Sequence, residues 1–451
     1  MNTPQPWQIG AAQADITPDR PQFLFGYPHV ERYSTGVHDP LLASAMYVAG
    51  ARRSAAIFIN CDVIFLARGL VHRARQRIAA ATGLPGEHVM ITASHTHSGP
   101  VTVSMVSNGN DPTVPAPDAR YLTRLEDSIV HAAVQARTGA TPATLDFALA
   151  DGSELGTNRR DPAGPSIPGV PVLIARDRQS RAPLALMAVV SMHPTVLHED
   201  WTLVSGDFPG LARQWLQQSV ADCPFIYHMG ASGNQSPRHV VRANTIDEAR
   251  RLGQMLGQAV ASAIEHAQPI APGDVACMRV TVDLPLRPFP TAEQARRRLE
   301  AAAAQLEQLR RRDAPRTAIR TAECDRFGAE ETLALAQASE QGRLAEVAST
   351  CSPAEVQVVQ LGDRAFVGWP GEVFVEFALQ LMRRYPRAHV ITLANGELQG
   401  YLVTREAVDE GGYEAGNAIF ASPESGVRLV RAAADLLQRL SSQRSLPCPS
   451  S

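Results

Sequence analysis

The six cysteines of this chain (Cys61, Cys223, Cys277, Cys324, Cys351, Cys448) are scattered, and no two of them form a C-x-x-C pair. That speaks against a disulfide framework and against a cysteine-type structural zinc site, leaving room for one or two isolated disulfides. No uninterrupted apolar run of about 18 residues is present, so no membrane span is expected. Neither sign of charge dominates: Lys+Arg 42 against Asp+Glu 45 leaves a net charge of −3, with no bulk electrostatic reason to expect nucleic acid as partner. The basic run Arg310-Arg311-Arg312 sits in an Ala/Glu/Gln/Arg-rich stretch and reads as a solvated helix face. The first residues, Met1 to Gln8, are polar and lack the basic-then-apolar order of a secretory leader, so a cytoplasmic location is expected. No internal repeat is evident.

What is present is the patterning of a globular chain of 451 residues, long enough for a substantial core. Short β-branched apolar runs alternate with helical patterns. Ala56–Asp62, His88–Ser94, Val172–Arg176, Leu184–Met192 and Phe225–Gly230 read as strands; Leu66–Ala81, Phe208–Ser219 and Ile246–His266 read as helices. The pattern resumes with strands at Glu355–Leu361 and Ala365–Trp369 and a helix at Val373–Met382. This predicts an α/β fold with mixed sheets flanked by helices. Two stretches interrupt it. Asn108 to Ala119 is rich in Pro, Asn and Asp and reads as a loop. Residues 291–347 read as two helices joined near Asp313-Ala314-Pro315, a helical insertion on the α/β body. A single domain over 8–440 followed by a disordered tail at 441–451 is the expected organisation.

The strand His88–Ser94 runs into His95-Thr96-His97-Ser98-Gly99-Pro100, delivering imidazoles to the carboxyl edge of a sheet, where open α/β sheets place their sites. Alternation along an extended chain would aim His95 and His97 the same way. An H-x-H pair alone is as compatible with two surface histidines at a turn as with a metal site. A second strand, Leu184–Met192, also ends in histidine, at His193-Pro194-Thr195. Rigidly held neutral imidazoles completed by a carboxylate or phenolate are what zinc sites use. A carboxylate stands at Trp369-Pro370-Gly371-Glu372, although a glutamate at the first turn of a helix is ordinarily a dipole-favoured surface residue. Gly230-Ala231-Ser232-Gly233-Asn234-Gln235-Ser236-Pro237 follows a strand and could expose a hydroxyl with backbone N–H groups, or be simply a loop; it is not a G-x-S-x-G elbow.

Taken in order, these segments resemble the neutral/alkaline non-lysosomal ceramidase family. The resemblance is carried by residues 10–18 (GAAQADITP), Gly26-Tyr27, Gly36-Val37-His38 and the strand ending in Asp62. It continues through Thr96-His97-Ser98-Gly99-Pro100, Asn158-Arg159, His193-Pro194-Thr195, Ser205-Gly206-Asp207, Pro370-Gly371-Glu372, Tyr401 and Tyr413-Glu414-Ala415. It covers roughly 8–270 and 355–420. The resemblance implies one Zn2+ per chain held by His95, His193, Glu372 and Tyr401, with His97, Arg159, Tyr413 and Ser236 facing the substrate. It implies hydrolysis of an N-acyl amide, ceramide-like or smaller. Departures stand at Arg160-Asp161-Pro162, where the family continues Ser-Pro. They also stand at Asn234 and Arg238, where its serine segment carries Asp and Asn. The chain ends near the close of the family's catalytic domain, so the immunoglobulin-like C-terminal domain of lipid-directed members is not expected.

The expected chemistry is attack by water or Ser236 on a polarised acyl carbon. His97 would move the proton, and Tyr413 and Arg159 would steady charge. His38 and Asp62 are candidate partners for the outer nitrogens of the zinc-bound imidazoles, with a buried polar pair serving only the fold as the equal alternative. A zinc esterase or lactonase and a catalytically degenerate binding module are the rival functions. The expected partner is a small-molecule or lipid-like amide. A homo-oligomer through the helical insertion is an open reading, and the Asn108–Ala119 loop and the insertion are expected to shape the entrance.

Overall fold

The structure, a computed structural model, describes residues 6–51 and 54–444. Its body is four layers deep: helices, sheet, sheet, helices. The larger sheet contains β1 (Trp7–Asp15), β2 (Leu42–Ala49), β3 (Ala55–Cys61), β4 (Val89–Ala93), β5 (Thr141–Asp151), β6 (Gly169–Asp177), β7 (Pro183–Val190), β8 (Phe225–Met229) and β9 (Gln268–Ile270). Its order is β8-β7-β6-β5-β1-β2-β3-β4, with β9 beside β5. The pairs β3/β4 and β7/β8 are parallel and the other neighbours antiparallel, as a mixed sheet requires. A smaller sheet holds β10 (Val275–Val282), β11 (Ala354–Leu361), β12 (Arg364–Gly368) and β13 (Ala388–Ile391) in that order.

Side-chain alternation explains the layers. On β3, Ile57, Ile59 and Cys61 face the core under α1 (Arg68–Thr82), α2 (Ala119–Thr138), α3 (Asp207–Ser219) and α4 (Ile246–Glu265), while Ala56 and Phe58 face the second sheet. Both faces are buried, which is why this run reads as continuously apolar. Phe58 meets Phe366 of β12 edge-on at 5.5 Å, so the sheets pack directly on each other.

The expected helical segment folds as an antiparallel pair, α5 (Ala292–Arg311) and α6 (Arg316–Glu340), followed by α7 (Leu344–Cys351). A capping box at Thr291 and Gln294 opens α5. Beyond the second sheet lie α8 (Val375–Arg384) and α11 (Pro423–Arg444), while the short α9 (Arg405–Glu410) leads into α10 (Tyr413–Gly416), which packs on α6. The last helix corrects one expectation: 441–444 are helical rather than disordered, and 445–451 lie outside the described residues. Among the described residues, Cys61, Cys223, Cys277, Cys324 and Cys351 are free thiols, and no helix is long and apolar enough to cross a membrane.

One buried group of the second sheet carries a pH dependence. His389 on β13 stacks on Phe147 at 5.0 Å, and neither ring nitrogen has a hydrogen-bond partner. Burial, then the Arg364 guanidinium, hold its pKa at about 4. A depressed folded pKa stabilises the fold above the unfolded value of 6.5, and that contribution is lost as pH falls toward 4; the share is about 3 kcal/mol. His389→Phe keeps the stack and removes two unsatisfied nitrogens. It should raise the urea midpoint at neutral pH by about 1–3 kcal/mol equivalent and flatten its decline between pH 6.5 and 4. An unchanged pH slope would show that His389 is solvated in the native state.

Candidate metal centre and adjoining cavity

The larger sheet curls until His228 on β8 reaches β4, its Nδ1 2.8 Å from Thr92 Oγ1. This closure brings together the chain ends leaving β4 and β7, which are far apart in strand order. The histidines arrive there by a route different from simple alternation. β4 stops at Ala93, and His95 takes a left-handed φ of 69°, a conformation that non-glycine residues adopt at a cost and chiefly at functional sites. That kink aims the His95 and His97 rings to the same side, 5.0 Å apart. The His193 ring lies 4.8 Å from that of His95.

The second sheet supplies the carboxylate. After β12 the chain turns at Pro370-Gly371, and Glu372-Val373 pairs in parallel register with Tyr401-Leu402. Glu372 Oε2 lies 2.9 Å from His193 Nε2 and 3.2 Å from His95 Nε2, so the three side chains form one buried cluster with ligand atoms within 4.8 Å of one another. Glu372 is thus no surface residue of a helix start. The Tyr401 ring stacks beside that of His193 at 6.5 Å.

The outer nitrogens are held by main chain. His95 Nδ1 is 2.9 Å from the Ile64 carbonyl, and His193 Nδ1 is 2.9 Å from the Gln235 carbonyl. A carbonyl can only accept, so each Nδ1 carries the proton. Burial and Arg159 hold the His193 pKa at about 4, so its ring is neutral at neutral pH and Nε2 presents a lone pair. That lone pair faces the Glu372 carboxylate, whose charge burial opposes. Two acceptors 2.9 Å apart repel unless a cation lies between them. The donor set therefore fits a metal ion of zinc's preference, two imidazole nitrogens with a carboxylate and a phenolate at hand.

His38 and Asp62 do not perform the task considered for them. His38 Nδ1 pairs with Asp39 Oδ1 at 2.8 Å, and Asp62 pairs with Arg213 at 2.6 Å, away from both ligand imidazoles. Backbone carbonyls, which no side-chain motif displays, do it instead.

The other expected site residues gather on the same cavity, of about 1180 Å³, which His97, Arg159, Ser236, Tyr401 and Tyr413 line together. His97 is packed against Tyr27 at 5.2 Å, and both of its ring nitrogens lack partners; burial and the neighbouring imidazoles hold its pKa well below the usual value. Gly26, at φ 124°, is obligatory there, since a Cβ would stand 2.4 Å from His97 Nδ1. Arg159 Nε binds Glu414 Oε1 at 2.8 Å, its Cζ lies 5.3 Å over the Tyr401 ring, and its Nη2 has no partner. Burial works against the Arg159 charge, but Tyr401 and Glu414 outweigh it and strengthen it. Ser236 and His97 share the cavity without a hydrogen bond between them; Ser236 Oγ accepts from Arg238 N at 3.2 Å, which leaves its O–H free to donate.

The departure at Asn234 has a structural reason. Its Nδ2 donates to both carboxylate oxygens of Glu376 at 3.1 and 2.9 Å, and its Oδ1 accepts from Val375 N at 3.0 Å. An aspartate there would face Glu376 with like charge. Arg160, at the other departure, reaches Glu410 at 2.8 Å and Glu414 at 3.0 Å.

Two features escape the sequence reading. Glu331 on α6 is buried, with Oε2 unpartnered; burial pushes its carboxyl up to about 8, so it stands neutral in the electrostatic surroundings of Tyr413. An acid on an Ala-rich helix gives no such signal. Second, α6 lies against the Tyr413 backbone through Gly328, where a Cβ would stand 2.8 Å from Tyr413 Cα. The insertion thus lines the cavity, as expected, whereas residues 108–119 are not part of the lining.

Comparisons with known proteins agree with this geometry. Residues 7–163 match the family model for neutral/alkaline non-lysosomal ceramidase, N-terminal. A curated neutral ceramidase from Oryza sativa subsp. japonica is 31% identical over 98 residues, a stretch covering 21% of this chain and 12% of that protein. The solved neutral ceramidase from Pseudomonas aeruginosa superimposes with a TM-score of 0.75 at 20% identity, covering 100% of this chain and 76% of that one. A ceramidase complexed with C2 gives 0.75 at 18% identity, covering 99% and 77%. Residues 7–163 are thus similar in sequence to the N-terminal part of neutral/alkaline non-lysosomal ceramidases, and the chain throughout shares the fold of the solved neutral ceramidase.

Proposed function

We propose that this protein is a zinc-dependent amidohydrolase that cleaves an N-acyl amide bond. The observation carrying this reading is the buried cluster of His95, His193 and Glu372, whose ligand atoms lie within 4.8 Å of one another while main-chain carbonyls occupy the Nδ1 atoms of both imidazoles. His95, His193 and Glu372 would hold the ion, with Tyr401, in register beside Glu372, as fourth ligand. Bound zinc supplies a Lewis acid for the amide carbonyl and lowers the pKa of water to about 7.

The chain's own residues do the rest. His97, neutral and with both nitrogens free, takes a proton from the attacking oxygen and returns it to the departing amine nitrogen. Arg159, fixed by Glu414, directs its free Nη2 at a substrate oxygen. Tyr413 lies edge-on to Tyr401 at 6.0 Å, and burial keeps its hydroxyl protonated as a donor. Ser236 offers its O–H to the same space.

Elemental analysis should find near one zinc per chain, and a panel of N-acyl amides should be cut in a chelator-sensitive, zinc-restorable way. Protein that binds no metal and cuts nothing would leave a binding module. Matched esters cut while amides are spared would make it an esterase.

A further inference from the structure

The wall of the cavity above the site mixes polar and apolar side chains and carries guanidinium groups without an ion-pair partner among the described residues. Four of its acids are already ion-paired: Glu199 and Glu323 with Arg320, Glu410 with Arg160, and Glu414 with Arg159 and Arg160. Asp325 makes no ion pair among the described residues, and burial raises its pKa, although Arg160 and Arg238 oppose that. By contrast, among the described residues the guanidinium groups of Arg238 and Arg298 form no ion pair, whereas Arg242 stands beside Glu248, whose Oε1 accepts from its main-chain N at 2.9 Å. The Arg287 guanidinium, half-buried, donates to the carbonyls of Ala415 and Gly416 and lies 4.6 Å over the Phe289 ring.

Arg238 is the best placed of these. It stands two residues beyond Ser236, a backbone reach of at most about 7 Å. Its guanidinium crosses to α6, where Nη2 meets Cys324 Sγ at 3.6 Å. It therefore bridges the two walls of the cavity. Deeper in, Arg159 Nη2 and both nitrogens of His97 are buried without partners. Guanidinium groups without ion-pair partners on this wall favour an amide with a negative end.

Building on the amidohydrolase reading, we propose that the substrate carries an anionic group, a carboxylate or sulfonate, a few bonds from the scissile carbonyl, and that Arg238 binds it. Arg298 adds to the field that draws it in.

The test compares N-hexanoylglycine and N-hexanoyltaurine with neutral N-hexanoylethanolamine on the zinc-loaded protein. Calorimetric binding of the ketone isosteres, with a methylene in place of the amide nitrogen, is measured alongside. The expected result is a kcat/KM higher for the anionic amides by about 10- to 100-fold, the worth of one charge-assisted hydrogen bond. The isosteres should show a matching preference in affinity, and both preferences should shrink with salt. Arg238→Ala should collapse the anionic-to-neutral ratio toward unity, and Arg238→Lys should restore part of it. If no amide is cut but the anionic isosteres still bind preferentially through Arg238, the hydrolase reading falls and the anion site stands. Equal turnover and equal binding of all three would overturn the anion site and leave the amidase intact. Neither turnover nor preferential binding would overturn both. A preference that survives Arg238→Ala would also overturn the assignment.

Discussion

Glu372→Gln is expected to yield a folded chain that no longer holds zinc and no longer cleaves amides. The side chain keeps its size and its buried place between His95 and His193. Its chemistry reverses: a glutamine nitrogen can donate to the His193 lone pair that a carboxylate can only repel. Metal-free, the variant should be more stable than metal-free wild type by about 1–3 kcal/mol, the cost of a buried acceptor left without a donor. Added zinc should raise the unfolding temperature of wild type and leave the variant unmoved, since only a native state that binds ligand gains from it. Activity should fall by roughly 10³-fold, on the scale of removing a principal electrostatic stabiliser. Zinc content, unfolding with and without zinc, and amide hydrolysis check the three parts. A variant with full zinc and near-native turnover would remove Glu372 from the site.

That opposition of stability and function depends on facts of different visibility in the sequence. His95, His193 and Glu372 were legible because each closes an apolar strand, and strand ends at a sheet edge are where side chains converge. Their convergence was not. β4 and β7 are separated by six intervening steps of sheet order, and only the curl that brings His228 to Thr92 unites them. The protonated Nδ1 atoms were also hidden, because Ile64 and Gln235 act through their carbonyls and any residue type could. Asn234 was seen as a departure, but its reason, the Glu376 carboxylate, belongs to a segment more than a hundred residues away.

The fold was read unevenly for similar reasons. Strands buried on both faces, such as β3 and β7, announce themselves as apolar runs, and their bounds fall within two residues of the expected ones. β1 (WQIGAAQAD) is rich in small residues and partly exposed, and was passed over. α2 does carry a signal in the sequence, since Tyr121, Leu125, Ile129, Ala132, Ala133 and Ala136 form a stripe of helical period.

A second large effect is expected far from the cavity, at Asp62 and Arg213. Arg213 Nη1 reaches Asp62 Oδ2 at 2.6 Å with the two side chains 4% and 1% exposed, and its Nη2 binds the Pro40 carbonyl at 2.9 Å. Asp62 Oδ2 also accepts from Leu42 N at 3.0 Å, so the pair ties α3 to β2 and to the chain leaving β3. Arg213→Met should cost about 3–5 kcal/mol in urea unfolding, because an ionised carboxylate is left buried without its cation. Adding Asp62→Asn should return much of that loss, since removing both charges of a buried pair is far cheaper than removing one. The single variant should also bind zinc about 10- to 100-fold more weakly, the usual cost of disturbing what holds a ligand. Asp62 lies two residues before Ile64, whose carbonyl fixes the His95 ring, so slack at Asp62 passes directly to a ligand. A single variant that loses less than about 1 kcal/mol would show that water reaches this pair. A double variant no more stable than the single would show that the guanidinium serves packing and the Pro40 carbonyl rather than the charge of Asp62.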